Sequence, residues 1–413
     1  MIRDAPPTHR GALLMKRLIP FALFLLSPTA AFAGADDQEL WISLGSDALE
    51  PVAEAFAKEG WAMPPASLAK GDVTVIPVRE SQLESIAHVM HEKFNRCAGF
   101  VTYESLDAAE KALVPEPPQR IETLGPPLYT LTNATVANCL ASTVAEPNVR
   151  GTINSMAAYT TRYYTSSTGV SAANWLRSHW ASLASGRTDM AASLFTHAAW
   201  AQPSVVLTVT GTTYPTEVVV VGGHLDSTSS GSVAPGADDN ASGIASFTDV
   251  IRAMVVCNYR PQRTIKFIGY AAEEVGLRGS KEIATYHRNN GINVVGVLQL
   301  DMTNYRGTSA DIGIVTDYTN AAQNTFLRNL IAAYLPGVTH VNTTCGYACS
   351  DHASWTNAGF AASIPHEAVV SQGNPYIHTV NDTISRARPT AGMATHALKF
   401  SKLAGAYVAE MGK

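Results

Sequence analysis

Val218-Val219-Val220-Val221-Gly222-Gly223-His224-Leu225-Asp226 is the stretch whose reading decides the fold. Four consecutive β-branched residues without polar alternation read as a strand buried on both faces, the pattern of a parallel sheet covered by helices. The run then turns polar, with a histidine and an aspartate where the strand should end. Ligands of open α/β sheets bind outside the carboxyl ends of the strands, so the stretch places a site as well as a sheet. Thr264 to Tyr270, Val294 to Leu300 and Ile312 to Val315 carry the same apolar signature. Gly243 to Val256, Ser280 to Arg288, Ala321 to Tyr334 and Thr395 to Glu410 read as the helices between and after them. The fold class expected is α/β, a mostly parallel central sheet flanked by helices.

Working outward, each strand runs into groups that can bind a cation. Thr264 to Tyr270 leads to Ala271-Ala272-Glu273-Glu274, and Val294 to Leu300 leads to Asp301-Met302. The turn-rich loop Ala234-Pro235-Gly236-Ala237-Asp238-Asp239-Asn240 adds a carboxylate, and Asn374-Pro375-Tyr376-Ile377-His378 adds a second histidine. Imidazole with carboxylate and no nearby thiolate suits zinc or another borderline divalent cation held for catalysis. The donors exceed what one tetrahedral ion needs and suit two ions sharing a carboxylate. Without cations, three convergent buried carboxylates would repel one another. Asp226, two residues beyond His224, falls on the same face of the strand and could hold the imidazole tautomer. Glu273 and Glu274 are adjacent, so their side chains diverge: one can ligate while the other serves as a base.

Composition narrows the function. The 413 residues are 46% hydrophobic and 15% charged with a net charge of -5, so the chain is globular and has no basic block for nucleic acid or anionic lipid. Met15-Lys16-Arg17, the apolar run Leu18 to Leu26 and Ala31-Phe32-Ala33 have the form of a signal peptide over 1–33, with the start at Met1 or Met15. Secretion to the extracellular space or periplasm is expected, with no membrane association once the signal is removed. Residues 39–114 mix strand and helix patterns of a small α/β unit. Five of the 22 prolines then fall between Pro115 and Pro127, an extended linker open to proteolysis.

Gly223-His224-Leu225-Asp226-Ser227, Ala234-Pro235-Gly236-Ala237-Asp238-Asp239, Ala271-Ala272-Glu273-Glu274-Val275-Gly276-Leu277-Arg278-Gly279-Ser280, Leu300-Asp301-Met302-Thr303-Asn304-Tyr305 and Cys345-Gly346-Tyr347-Ala348-Cys349-Ser350-Asp351-His352 stand in order along 128–413. Together they resemble the secreted bacterial leucyl aminopeptidases with co-catalytic zinc. The resemblance implies two Zn2+ per chain, with Asp239 bridging, Glu274 and His378 completing one site, and His224 and Asp301 the other. It also implies a cis peptide between Asp239 and Asn240. The activity it implies is hydrolysis of the N-terminal residue, an apolar one, from peptide substrates, with Glu273 as general base towards a water activated between the zinc ions. A monomer is expected. The rivals are a single-zinc, glutaminyl cyclase-like acyltransferase of the same fold and a non-catalytic peptide-binding module.

In the pocket for the substrate's first side chain, Met302, Val315, Cys345, Tyr347, Cys349 and Ile377 match or nearly match positions of the leucine-preferring relatives. Ile364, His366, Val370 and Gly373 fall where those enzymes carry Met, two Phe and Tyr, so a roomier and more polar pocket is expected. The relatives imply a Cys345–Cys349 disulfide; a Cys-x3-Cys metal site is the alternative. Cys139 and Cys257 are left to pair with each other. His91-Glu92-Lys93-Phe94-Asn95-Arg96-Cys97-Ala98-Gly99-Phe100 resembles the family's propeptide, so 34–127 is read as propeptide plus linker, blocking the site until cleaved, and 128–413 as the catalytic domain. A permanent accessory domain is the other reading of that segment.

Overall fold

The computed structural model describes residues 37–94, 96–114, 118 and 123–413. The signal expected over 1–33 lies outside them, as does most of the proline-rich linker. The first described layer is an antiparallel sheet of β1 (Glu39–Gly45), β2 (Leu68–Lys70), β3 (Val73–Arg79) and β4 (Phe100–Tyr103) in the order β2-β3-β1-β4. The two-residue period sorts its faces. Leu40, Ile42 and Leu44 of β1 pack with Val52 and Phe56 of α1 (Leu49–Lys58) and with Leu83, Ile86 and Met90 of α2 (Leu83–Phe94). On the opposite face, Val75, Val101 and Tyr103 meet Ala109 of α3 (Leu106–Ala112) and also Leu277 and Ala353, which belong to the larger part of the chain.

That larger part opens with α4 (Ala134–Thr143), α5 (Glu146–Ala157) and α6 (Ser167–Leu183), followed by the antiparallel pair β5 (Met190–Phe195) and β6 (Ser204–Val209). The valine run is the end of β7 (Tyr214–His224), which pairs in parallel with β8 (Arg263–Tyr270) on one side and β9 (Asn293–Gln299) on the other. α7 (Ala241–Val256) and α8 (Arg278–Asn289) make the crossovers. β10 (Ile312–Val315), α9 (Ala321–Tyr334), β11 (His340–Thr343), α10 (His352–Asn357), β12 (Ala362–Ser363), β13 (Pro365–His366) and α11 (Ala397–Met411) complete the chain. The central sheet runs β12-β9-β7-β8-β6-β5, parallel from β12 to β8 and antiparallel beyond, so the expected α/β class holds.

One strand is placed differently from expectation. Ile312–Val315 forms a strand, but it lies in a separate sheet of order β11-β10-β13 and not in the central one. Its four residues are buried on both faces, as central strands are, and an apolar run carries no information about which neighbour it pairs with.

Two devices set the geometry of the strand ends. At Gly223, a Cβ would come within 2.6 Å of the Leu300 carbonyl oxygen, so only glycine lets β7 and the end of β9 close up there. Farther back, the buried Arg263 guanidinium pairs with Glu217 at 2.6 Å and donates to the carbonyls of Pro126, Met411 and Lys413, tying both ends of the larger part to the sheet. The disulfides are Cys139–Cys257, joining α4 to the end of α7, and Cys345–Cys349, which closes the loop before α10. Cys97 is left as a buried free thiol. Among the described residues no helix is long and apolar enough to cross a membrane.

Candidate active site

His224 is the last residue of β7, and its Nδ1 meets the carbonyl oxygen of Asp226 at 3.2 Å. That contact holds the ring with Nε2 facing the site, 3.0 Å from Asp239 Oδ1 and 3.3 Å from Asp301 Oδ1. The other oxygen of Asp301 accepts from Ser350 Oγ at 2.6 Å. Asp239 closes the loop ahead of α7, where Asn240 caps the helix by accepting from Gly243 N at 3.0 Å. The Asp239–Asn240 peptide is cis. The second oxygen of Asp239 lies 2.9 Å from His378 Nε2, which in turn is 3.4 Å from Glu274 Oε2. The two carboxylate oxygens of Asp239 therefore face two different donor groups: His224 with Asp301, and His378 with Glu274. Glu273 reaches 4.0 Å from His224 Nε2.

All five donors and Glu273 are buried. His224 Nε2, Asp239 Oδ1, Asp301 Oδ1, His378 Nε2 and both oxygens of Glu273 and Glu274 have no hydrogen-bond partner among the described residues. Buried polar atoms are nearly always satisfied, so this many orphans converging on one place are donors awaiting a ligand. Imidazole and carboxylate donors with short mutual distances but no hydrogen-bond geometry between them suit divalent cations. Burial opposes the charge on His224, but Asp301 and Glu273 outweigh it and raise the imidazole well above its ordinary value. His378 is likewise lowered by burial, yet Glu274 and Asp239 lift it to about 10. Burial and then Asp239 push Glu274 up to about 7, and burial raises Glu273 well above the carboxylate range. Asp239, despite burial, is held well below that range by the two histidines.

Asp226 reaches both His224 and the loop that carries the two glutamates. Its carboxylate oxygens accept the backbone N–H of Glu273 and of Glu274, each at 3.2 Å, and its Oδ1 is 3.5 Å from His224 Nδ1. Both the carbonyl and the carboxylate of Asp226 thus face His224 Nδ1, and the carboxylate also fixes the loop that carries the two glutamates.

A family model described as peptidase family M28 matches residues 204–400. Leucine aminopeptidase 1 of Arthroderma otae is 33% identical over 302 residues, covering 69% of this chain and 79% of the relative. The chain belongs to peptidase family M28. A probable aminopeptidase of Saccharomyces cerevisiae is 38% identical over 248 residues, which are 57% of this chain and 66% of the relative. The crystal structure of Legionella pneumophila LapA aminopeptidase superposes with a TM-score of 0.76 at 28% identity, covering 92% of this chain and all of that one. The protein is thus an M28 aminopeptidase, a hydrolase, with the α/β architecture of its solved relatives.

Beside the donors of this M28 enzyme lies a cavity of about 450 Å³. Met302, Tyr347, Ile364, His366 and Ile377 line it, as do Val315, Cys345, Cys349, Val370 and Gly373, so the residues expected to form a pocket are brought together. A Cβ on Gly373 would meet His366 Cε1 at 3.0 Å, so the histidine fills the space beside this glycine. His366 is buried, which lowers its pKa, and its Nδ1 meets the backbone of Ala368.

Several residues around the site escaped the sequence reading. The Arg162 guanidinium donates to Leu225 O at 2.8 Å and Gly236 O at 2.9 Å, pinning the His224 and Asp239 loops together. The carboxylate of Asp382 accepts the backbone N–H of Asp238 and Asp239. Asp382 stands on the same loop, four residues beyond His378. Most unexpected are two residues of the first layer. His91 Nε2 lies 3.5 Å from Glu274 Oε2 and its ring stacks on His378 at 3.9 Å, while Cys97 Sγ donates to Asp239 Oδ2 at 3.3 Å.

Proposed function

We propose that this enzyme is a secreted, monomeric zinc aminopeptidase that holds two Zn2+ per chain and removes an apolar N-terminal residue from peptides. Asp239, with a carboxylate oxygen facing each donor group, would be shared by the two ions, His224 and Asp301 would hold one, and Glu274 and His378 would hold the other. Residues 34–127 are its propeptide with linker, and 128–413 its catalytic domain. What supports the reading is the set of buried, unpartnered donors arranged on the two oxygens of Asp239.

When bound, the ions supply Lewis acidity and lower the pKa of a water molecule. The chain's own residues do the rest. Glu273, with neither oxygen engaged in a hydrogen bond, takes the proton of the attacking water and passes it to the departing amine. Asp226 keeps Glu273 and Glu274 in place through their N–H groups. Asp301 lies at the end of the site where the free α-amino group of the substrate docks, which confines cleavage to chain ends. The cavity bounded by Met302, Tyr347, Ile364, His366 and Ile377 receives the first side chain, and its mixed lining favours apolar side chains over a wider range than leucine.

A panel of aminoacyl chromogenic anilides, assayed with and without chelator, tests the reading. Hydrolysis that is abolished by chelator and restored by zinc is expected, with medium-sized apolar residues preferred. Hydrolysis indifferent to chelation, or cyclisation of N-terminal glutamine in its place, would overturn it.

A further inference from the structure

The turn that follows α2 carries a thiol into the site. Ala98 and Gly99 both adopt left-handed backbone, with φ of 45° and 74°, and a Cβ on Gly99 would run into Met90 at 2.8 Å. This tight turn directs Cys97 onto Asp239 Oδ2, the oxygen that His378 also contacts. One ligand atom each from Cys97, Asp239 and His378 lie within 4.8 Å of one another, and the same holds for His91, Glu274 and His378. Next to Cys97, Arg96 pairs with Asp47 at 2.6 Å and lies over the Tyr347 ring, fastening the turn to both parts of the molecule.

A thiol in a buried corner could be mere packing. The second observation argues against that: His91 Nε2 is also buried in this corner and has no hydrogen-bond partner among the described residues, which is costly unless something binds it. Over Leu277 and Ala353 the same layer presents apolar side chains. Here it presents a sulfur and an imidazole, two of the strongest zinc donors.

We infer that Cys97 ligates the cation shared by Asp239, Glu274 and His378 while the first layer is attached, with His91 stacked alongside as a further donor. The inference rests on the two-cation reading above and deepens it. On ligation the S–H bond breaks, a sulfur–metal bond forms, and the proton leaves to solvent with the displaced water; no electrons are transferred. Departure of the layer reverses this: water takes the vacated position and the sulfur is reprotonated. The sulfur thus occupies the place of the attacking water, and Phe94, Arg96 and Cys97 line the substrate cavity at the same time. The same contact shuts the cation and the pocket.

Cobalt substitution of the full-length chain tests this without relying on turnover. Visible d–d absorption reports cobalt in the site, and near-ultraviolet thiolate-to-cobalt charge transfer reports the sulfur. The wild-type chain is expected to show both, and Cys97→Ser only the first. Because the other four cysteines form disulfides, titration of the single free thiol gives a check that needs no variant: slow reaction when metal is loaded, fast reaction after chelation. Visible absorption with no charge transfer, or a thiol equally reactive in both states, overturns Cys97 ligation alone. No visible absorption at all overturns the metal reading beneath it as well.

Discussion

Replacing Asp226 by asparagine isolates the residue that acts through others. Its carboxylate is fully buried and accepts two backbone N–H groups, those of Glu273 and Glu274, at 3.2 Å each. An amide keeps one acceptor and turns the other oxygen into a donor that faces an N–H. One charge-assisted bond is weakened and one buried donor is left unpaired, a loss of about 2 to 3 kcal/mol. The loss falls on the loop that holds both the base and a cation ligand. If it is expressed in the site, kcat/KM drops by roughly 30- to 150-fold. Zinc affinity falls by about 10- to 100-fold, as for other groups that orient ligands. The assay combines kcat/KM at saturating zinc, zinc dissociation by chelator competition, and chemical unfolding. A variant that loses stability but keeps kcat/KM and zinc affinity within about threefold of the wild type would refute the positioning role, because a merely structural aspartate predicts that split.

Three further outcomes follow from other parts of the molecule. His287, His352 and His396 are buried and neutral, each depressed to about 4 chiefly by burial, and Lys266 donates to the Nε2 of His287. A depressed histidine gives stability that is complete above its unfolded value of 6.5 and lost as pH falls towards 4. Unfolding free energy measured by denaturant should therefore fall by about 2 kcal/mol per histidine between neutrality and about pH 5, and His287→Gln should flatten the slope. Arg263→Met takes the guanidinium from the buried Glu217 carboxylate and leaves it the backbone N–H groups of Leu124 and Gly125, so a loss of about 3 to 5 kcal/mol in denaturant unfolding is expected, with little change in KM. Gly373→Tyr pushes against His366, so rates on the largest N-terminal side chains should fall relative to leucine in the anilide panel, by about 10-fold or more if the pocket loses a side chain's worth of space.

Much of the site was legible because parallel strands bring their carboxyl ends together: His224, Glu273, Glu274 and Asp301 follow the ends of β7, β8 and β9, and a strand end is readable from an apolar run that stops. Asp239 and His378 lie on loops; they were read there as candidate donors, and their roles came through family resemblance. Pairing partners were not legible. The run Ile312–Val315 looks like a central strand but belongs to the smaller sheet, and the antiparallel β5 and β6 carry no signal that they extend the central one. That the first layer covers the site was expected from its resemblance to a propeptide, but which of its residues touch the donors was not legible. Cys97 meets Asp239 across 142 positions, and nothing local to either residue encodes a contact of that range.

The central claim is a pair of cations bridged by Asp239, with Glu273 as the base beside them. It is tested most directly by zinc content and turnover measured together on the dialysed enzyme and on Glu273→Gln. The account predicts about two zinc ions per chain in both proteins, with turnover in the variant lower by about 10²- to 10⁴-fold. One zinc per chain in the fully active enzyme, or near-normal turnover in the variant, would contradict it.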